Sequence, residues 1–192
     1  MRVIATRAEF PALLVELGLT GAGVEVGVQH GEHAAHILQH WPGALTVVDP
    51  WRAYGDYTDI ANVSQGEQDD IYRGALVRLL PFSLTGRCQV WRLTGREAST
   101  LFAPRSLDFV YLDARHDYAA VRQDLIDWTP VMKPGGILAG HDYLDGTIMF
   151  TGFDRPTEFG VKRAVDEWAA ARGWTVHATE AERFPSWYCE VP

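Results

Sequence analysis

The chain has 192 residues, 47% of them apolar and 22% charged, with a formal net charge of −8. That length and balance predict one globular domain over residues 1–192, and the acidic excess argues against a general nucleic-acid or anionic-membrane surface, which needs a basic face. No apolar run approaches the roughly 18 residues of a membrane span, and the N-terminus lacks the pattern of a secretory signal, so a cytoplasmic protein is expected.

In chain order, Phe10, Leu13, Leu14 and Leu17 recur at helical spacing until Gly18 and Gly21-Ala22-Gly23 stop them. Val24–Val28 reads as the first strand, Gln29-His30-Gly31 as a turn, and Glu32–Trp41 as a helix burying Ala34, Ile37, Leu38 and Trp41. Ala44–Val48 predicts strand two, ending in Asp49-Pro50-Trp51. The polar, aromatic stretch Arg52–Asp70 lacks a period and is long for a connection, which favours a functional loop. A helix from about Glu67 to Leu80 is expected to close at Pro81.

Cys88–Leu93 reads as strand three, followed by a short helix over Ala98–Phe102. Leu107–Asp113 is strand four. Tyr118, Val121, Leu125 and Trp128 give the next helix an apolar face, and Lys133-Pro134-Gly135-Gly136 turns the chain into strand five, Ile137–Gly140. Leu144–Gly160 is a second long loop. Val161, Ala164, Val165 and Trp168 mark a last helix, and Gly173–His177 with Ser186–Val191 an antiparallel strand pair. Strands alternating with helices predict a mostly parallel sheet covered on both faces. The two cysteines, Cys88 and Cys189, sit in apolar runs and read as buried free thiols. Seven tryptophans imply an aromatic core or an aromatic pocket.

Several motifs carry chemistry. Glu25-x-Gly27-x-x-x-Gly31 lies at a strand-to-helix turn, where glycines let a ligand approach the backbone and a helix N-terminus presents free N–H groups. It lacks the third glycine of the dinucleotide fingerprint, which disfavours an adenine-dinucleotide oxidoreductase. Asp49 ends the next strand about 20 residues on, where an acid accepts from ribose hydroxyls or caps a turn. His33, His36 and His40 fall on one helical flank and read as a solvated face, while His30 lies in the glycine turn and can touch a cofactor. Asp113, His116, His141 and Asp142 end two adjacent strands, which places them in one cleft at the carboxyl edge of the sheet.

These residues resemble a class I S-adenosylmethionine-dependent methyltransferase. The resemblance rests on Val24-Glu25-Val26-Gly27 with Gly31, Val48-Asp49-Pro50-Trp51, Leu107–Asp113 and Lys133–Tyr143. The nearest subgroup is the small bacterial and phage type that resembles catechol and sugar O-methyltransferases, methyltransferase domain family 24. The resemblance implies a Rossmann-like α/β fold, a seven-stranded sheet in the order 3-2-1-4-5-7-6 with strand seven antiparallel. It implies S-adenosyl-L-methionine held by Glu25, Gly27, Val28, His30, Gly31 and Asp113, with Asp49 at the ribose, Trp51 near the adenine and Arg96 or Glu97 near its amino group. It also implies a divalent ion, magnesium or a transition metal, at Asp113, His141 and Asp142. The family's catechol enzymes carry a catalytic lysine where this chain has His116, and a carboxylate is expected where it has His141.

The expected reaction is attack of a substrate hydroxyl on the sulfonium methyl, with His116 as general base and Asp113 and Asp142 orienting it or holding an ion. The acceptor is expected to be a small molecule, aromatic or sugar-sized, contacted by Tyr54, Tyr57, His141 and Tyr143. No nucleic acid or membrane partner is expected, and a homodimer is compatible with the loops. A module of this fold that binds the cofactor without turnover is the other alternative.

Overall fold

The structure is a computed structural model describing residues 1–192. Its centre is a seven-stranded sheet in the order β3-β2-β1-β4-β5-β9-β8. The strands are β1 (Ala22–Val26), β2 (Ala44–Val48), β3 (Cys88–Trp91), β4 (Leu107–Leu112), β5 (Met132–Gly140), β8 (His177–Ala178) and β9 (Trp187–Glu190). The strands from β3 across to β5 run parallel, and β9 is antiparallel to both β5 and β8. With a hairpin of β6 (Asp145–Ile148) and β7 (Thr157–Gly160) inserted, this is the expected strand order with the last pair renumbered.

The helices are α1 (Phe10–Glu16), α2 (Glu32–His40), α3 (Gln65–Leu84), α4 (Gly95–Ser99), α5 (Tyr118–Trp128) and α6 (Val161–Ala170). No helix is long and apolar enough to cross a membrane. Strand β4 shows how the layers are specified. All six of its residues are buried, and successive side chains point to opposite faces. Phe109 and Tyr111 join the core under α1 and α2, whereas Val110 and Leu112 join the core under α5 and α6. Phe109 meets Phe10 edge-on at 5.5 Å and Trp41 at 4.9 Å. Trp41, Trp51, Trp128 and Trp187 are all fully buried, so the tryptophans chiefly build the core. Cys88 and Cys189 are buried free thiols, as the apolar runs imply.

Four local expectations are corrected. Strand β1 begins and ends two residues early: pairing with β2 already starts at Ala22, and Gly27 turns the chain away at φ 85°. Pro81 does not close α3 but lies inside it. The carbonyl that proline leaves unbonded belongs to Val77, which is 73% exposed and open to water. The Lys133–Gly136 segment is a bulge within β5 rather than a turn before it, since pairing shifts from Leu107↔Met132 to Phe109↔Ile137. Lys133 anchors that bulge by an ion pair 2.5 Å from the buried Asp108, which also accepts from the Gly21 N–H. The second long loop holds the β6–β7 hairpin, not irregular chain alone.

Because Phe109 bridges α1 and α2, replacing it with alanine opens a cavity both aromatic neighbours line. Phe109→Ala should lower the unfolding free energy by about 3–5 kcal/mol. A urea titration measures this, and an unchanged midpoint would rule out the assigned packing.

Candidate active site

All the parallel strands end at one edge, and a cavity of about 540 Å³ opens there. Its floor is the turn after β1. Gly27 donates its N–H to Val48 O at 2.8 Å, and the Asp113 N–H reaches Val26 O at 2.7 Å. A Cβ on Gly27 would lie 2.0 Å from the Asp113 carbonyl oxygen and 2.7 Å from Ala114 Cα. Only glycine therefore lets the β1 and β4 ends meet, with φ adding a second demand. Gly31 sits at the α2 N-cap in the left-handed region but does not line the cavity.

Asp49 fastens the turn to β2. Its Oδ2 accepts from the Val28 and Gln29 N–H groups at 2.8 and 3.0 Å, and its Oδ1 from the Trp51 N–H at 2.6 Å. Asp49 still lines the cavity, so it caps the turn while keeping acceptor capacity on that wall. Gln29, Trp51 and Asp142 all have positive φ without being glycine, at 47°, 41° and 53°. Such backbone concentrates where surrounding contacts impose it, and these three flank the cavity.

The far wall comes from β4, β5 and the two long loops. Asp113, His141 and Asp142 bring ligand-type atoms within 4.8 Å of one another. His116 lies between these acids and the first loop. Its Nδ1 is 3.1 Å from Asp59 Oδ2, and its Nε2 is 3.0 Å from Asp142 Oδ2 and 3.8 Å from Asp113 Oδ1. The Asp142 contact has a hydrogen bond's distance without its angle, so it is chiefly electrostatic. Burial alone would lower the His116 pKa, but Asp113, Asp142 and Asp59 outweigh it and hold it well above the ordinary imidazole value. His141 is raised against burial by Asp142 and Asp113. Asp142 is correspondingly held below the ordinary carboxylate range, since His116 and His141 outweigh its burial. Tyr57, whose hydroxyl accepts from the His116 N–H at 3.1 Å, is pushed up to about 12 by burial.

Aromatic rings continue outwards from His116. Its ring stacks on Phe159 at 5.4 Å and 14°, Phe159 neighbours Phe184 at 6.3 Å, and Phe184 stacks on Phe150 at 6.2 Å. Two bonds tie the loops over this wall, from Thr58 Oγ1 to Pro156 O at 3.1 Å and from Thr157 Oγ1 to Thr58 O at 3.2 Å.

The cavity brings together Glu25, Gly27, Val28, His30, Asp49, Tyr54, Tyr57, Arg96, Asp113, His116, His141 and Asp142. It leaves out Trp51, Glu97 and Tyr143 as well as Gly31. Trp51 is fully buried, its indole N–H spent on Gln29 O at 2.9 Å. Glu97 closes a capping box by accepting from the Thr94 N–H and hydroxyl at 2.9 and 2.7 Å, because α4 starts at Gly95 rather than Ala98. Tyr143 turns away and donates to Asp166.

Sequence reasoning missed several wall residues. His33 is not on a solvated flank. Its side chain is 8% exposed and its Nδ1 lies 2.7 Å from Glu25 Oε1. The signal was available, since Glu25 near the end of β1 and His33 in the first turn of α2 face each other across one βα turn. His36 and His40 remain apart from it, bonding the Ala8 and His36 carbonyls. Arg7, Asp59, Asp124 and Phe159 also line the cavity, and no local pattern pointed to them.

A family model described as a methyltransferase domain matches residues 24–143. No curated relative matches the sequence. Among solved structures, a Corynebacterium glutamicum protein is 19% identical, with TM-score 0.65 over 99% of this chain and 84% of its own. An O-methyltransferase from Bacillus cereus in complex with SAH is 15% identical, with TM-score 0.64 over 96% of this chain and 80% of its own. An O-methyltransferase family protein from Burkholderia thailandensis is 14% identical, with TM-score 0.63 over 96% of this chain and 55% of its own. At such identities it is the fold that is shared.

Burial, reinforced by the Asp127 and Asp117 charges, pushes the Asp124 carboxyl up to about 7. The folded chain keeps that proton after the unfolded chain has released its own near the ordinary value of about 3.9. The resulting stability is full below that value, falls as pH rises towards the folded pKa, and levels off above it. Asp124→Asn should therefore melt higher than the parent at about pH 8, with the gap shrinking towards about pH 5. Thermal unfolding of the ligand-free protein reads this, and a gap independent of pH would contradict it.

Proposed function

The chain belongs to the methyltransferase domain family, as a class I S-adenosylmethionine-dependent, O-methyltransferase-like enzyme, and on that premise we propose that it methylates a hydroxyl on a small, flat-ringed acceptor. One observation carries the reading. The glycine turn with Asp49 and the Asp113–His116–Asp142 group line a single cavity, and the wall beyond His116 is a series of aromatic rings.

Glu25, Gly27, Val28, His30 and Asp49 hold the cofactor, with Asp49 at the ribose and Arg96 at the adenine end. Trp51, Gly31 and Glu97 support that wall from behind. The cofactor supplies an activated methyl group, and the protein supplies alignment and a place for the acceptor's proton. His116 receives that proton at Nε2. Asp59 accepts from Nδ1–H, fixing the tautomer and stabilising the imidazolium that forms. The carboxylates that raise the His116 pKa make it a stronger base once free, at the expense of the fraction that is free near neutrality. A cationic cofactor held in the same cavity would disfavour a second positive charge on His116 and so would favour a free Nε2. Tyr54, Tyr57 and the Phe159–Phe184–Phe150 rings contact the acceptor, which suits a hydroxylated aromatic better than a sugar.

The acid test of this reading is turnover. Incubation with S-adenosylmethionine and a panel of small phenols and sugars should yield S-adenosylhomocysteine with a phenol. His116→Gln should reduce single-turnover methyl transfer about 10²–10⁴-fold with little change in cofactor affinity. Unchanged transfer to the true acceptor would remove His116 from the base role.

A second reading rests on the convergence of Asp113, His141 and Asp142. Two carboxylates and one imidazole fit a transition ion better than magnesium, which prefers oxygen. Bound there, such an ion would polarise the acceptor oxygen and lower its pKa. Chelation followed by addition of manganese or magnesium separates the two readings. The base reading expects activity to persist after chelation, and loss restored by manganese would favour the ion.

A further inference from the structure

One part of the cavity wall has a role that neither His116 nor the aromatic rings explain. Glu25 and His33 form a pair in which the side chains are 2% and 8% exposed. They join through Glu25 Oε1 and His33 Nδ1 at 2.7 Å, and both line the cavity. The outer atom of each, Glu25 Oε2 and His33 Nε2, is buried without any hydrogen-bond partner. Two adjacent buried orphans are costly in an apolar setting, so a polar ligand at this wall is the economical partner for both.

The pair is held rigidly. Glu25 is on the central strand β1, and the His33 ring leans on Tyr111 with centroids 4.4 Å apart. Arg7 lines the same cavity from the segment before α1, with Nη1 3.4 Å from Asp113 Oδ2 and close enough to Glu25 for the two charges to act on each other. Its position is fixed because the next residue, Ala8, accepts from His36 Nε2 at 2.8 Å, tying the segment to α2. Ala5 O accepts from the Ala181 N–H at 3.0 Å and holds the other side. A buried acceptor atom, a ring nitrogen and a guanidinium thus sit together, as a ligand with neighbouring positive and negative groups requires.

We propose that His33 and Arg7, acting beside Glu25, clamp the zwitterionic α-amino acid end of the cofactor. The ligand ammonium donates to Glu25 Oε2. His33 Nε2–H and the Arg7 guanidinium donate to the ligand carboxylate. This rests on the cofactor reading above and adds two residues to it. The match is electrostatic as well as geometric. The Glu25–His33 pair and the zwitterion are each neutral overall, so loading the site buries no net charge beyond Arg7, which Asp113 already faces.

The test compares two probes on the whole chain by calorimetry. S-adenosylhomocysteine carries the amino acid end, and 5′-methylthioadenosine lacks it. Arg7→Gln and His33→Ala should each weaken S-adenosylhomocysteine about tenfold or more while leaving 5′-methylthioadenosine nearly unchanged. Equal weakening of both probes, or of neither, would overturn the clamp. Arg7 is partly exposed, so its variant keeps the test decisive even if His33→Ala does not fold. Wild-type protein that binds neither probe would instead overturn the cofactor reading on which the clamp stands.

Discussion

The close approach of β1 to β4 at Gly27 is the constraint on which the site depends. Any side chain there would strike the Asp113 carbonyl and Ala114. With hydrogen in that place, the turn that carries Val28 and His30 lies against the strand end that carries Asp113 and leads to His116. The glycine-turn wall and the Asp113–His116 wall of the cavity are therefore one construction. Asp49 then sets the turn's shape with three backbone bonds, which a glutamate or asparagine would not reproduce without moving the backbone or giving up an acceptor.

Charge in the cavity is arranged in matched groups. Glu25 sits with His33, while Asp59, Asp113 and Asp142 surround His116 and His141. An isolated carboxylate in so dry a setting would take up a proton, as burial tends to make Glu25 do. Pairing keeps Asp142 ionised instead. The groups differ in what they leave open. Around His116 both ring nitrogens face acids, Nδ1 by a hydrogen bond to Asp59 and Nε2 by an electrostatic contact with Asp142, which suits holding a proton. At Glu25 and His33 one acceptor and one ring nitrogen are left unpartnered, which suits binding.

The sequence was legible where structure is local and periodic. Strand β2 falls where its apolar run predicts, and α5 follows the Tyr118–Trp128 stripe. The parallel order of the central strands was legible too, because βα alternation restricts topology. Boundaries moved where one residue's backbone overrode a pattern, as with Gly27 in β1 and Thr94, whose capping box starts α4 early. Side-chain direction, which the sequence does not show, decides which neighbours reach the cavity. Trp51 and Tyr143 stand beside site residues in sequence but point into other packing. His33 shares a helical flank with His36 and His40, yet it lies at the helix start, where that flank runs under the strand ends. Arg7 and Asp59 were invisible because tertiary packing of non-periodic segments places them.

Asp59 shows why the two long loops belong to the chemistry and not only to access. Its carboxylate holds His116, and its Oδ1 also accepts from the Ala61 N–H at 2.8 Å, which shapes the loop around it. The preceding residue, Thr58, exchanges two hydrogen bonds with the Pro156-Thr157 segment that opens β7. Strand β7 in turn carries Phe159, on which the His116 ring stacks. One short stretch, residues 57–59, thus touches the imidazole by hydrogen bond and reaches it again through the hairpin. A displacement of the hairpin to admit a larger acceptor would shift Phe159 and strain Thr58, and through it Asp59. The hairpin and the His116 imidazole are thus mechanically coupled, so under the proposed base role, substitutions that enlarge the aromatic wall should be read for their effect on His116 as much as for their effect on fit.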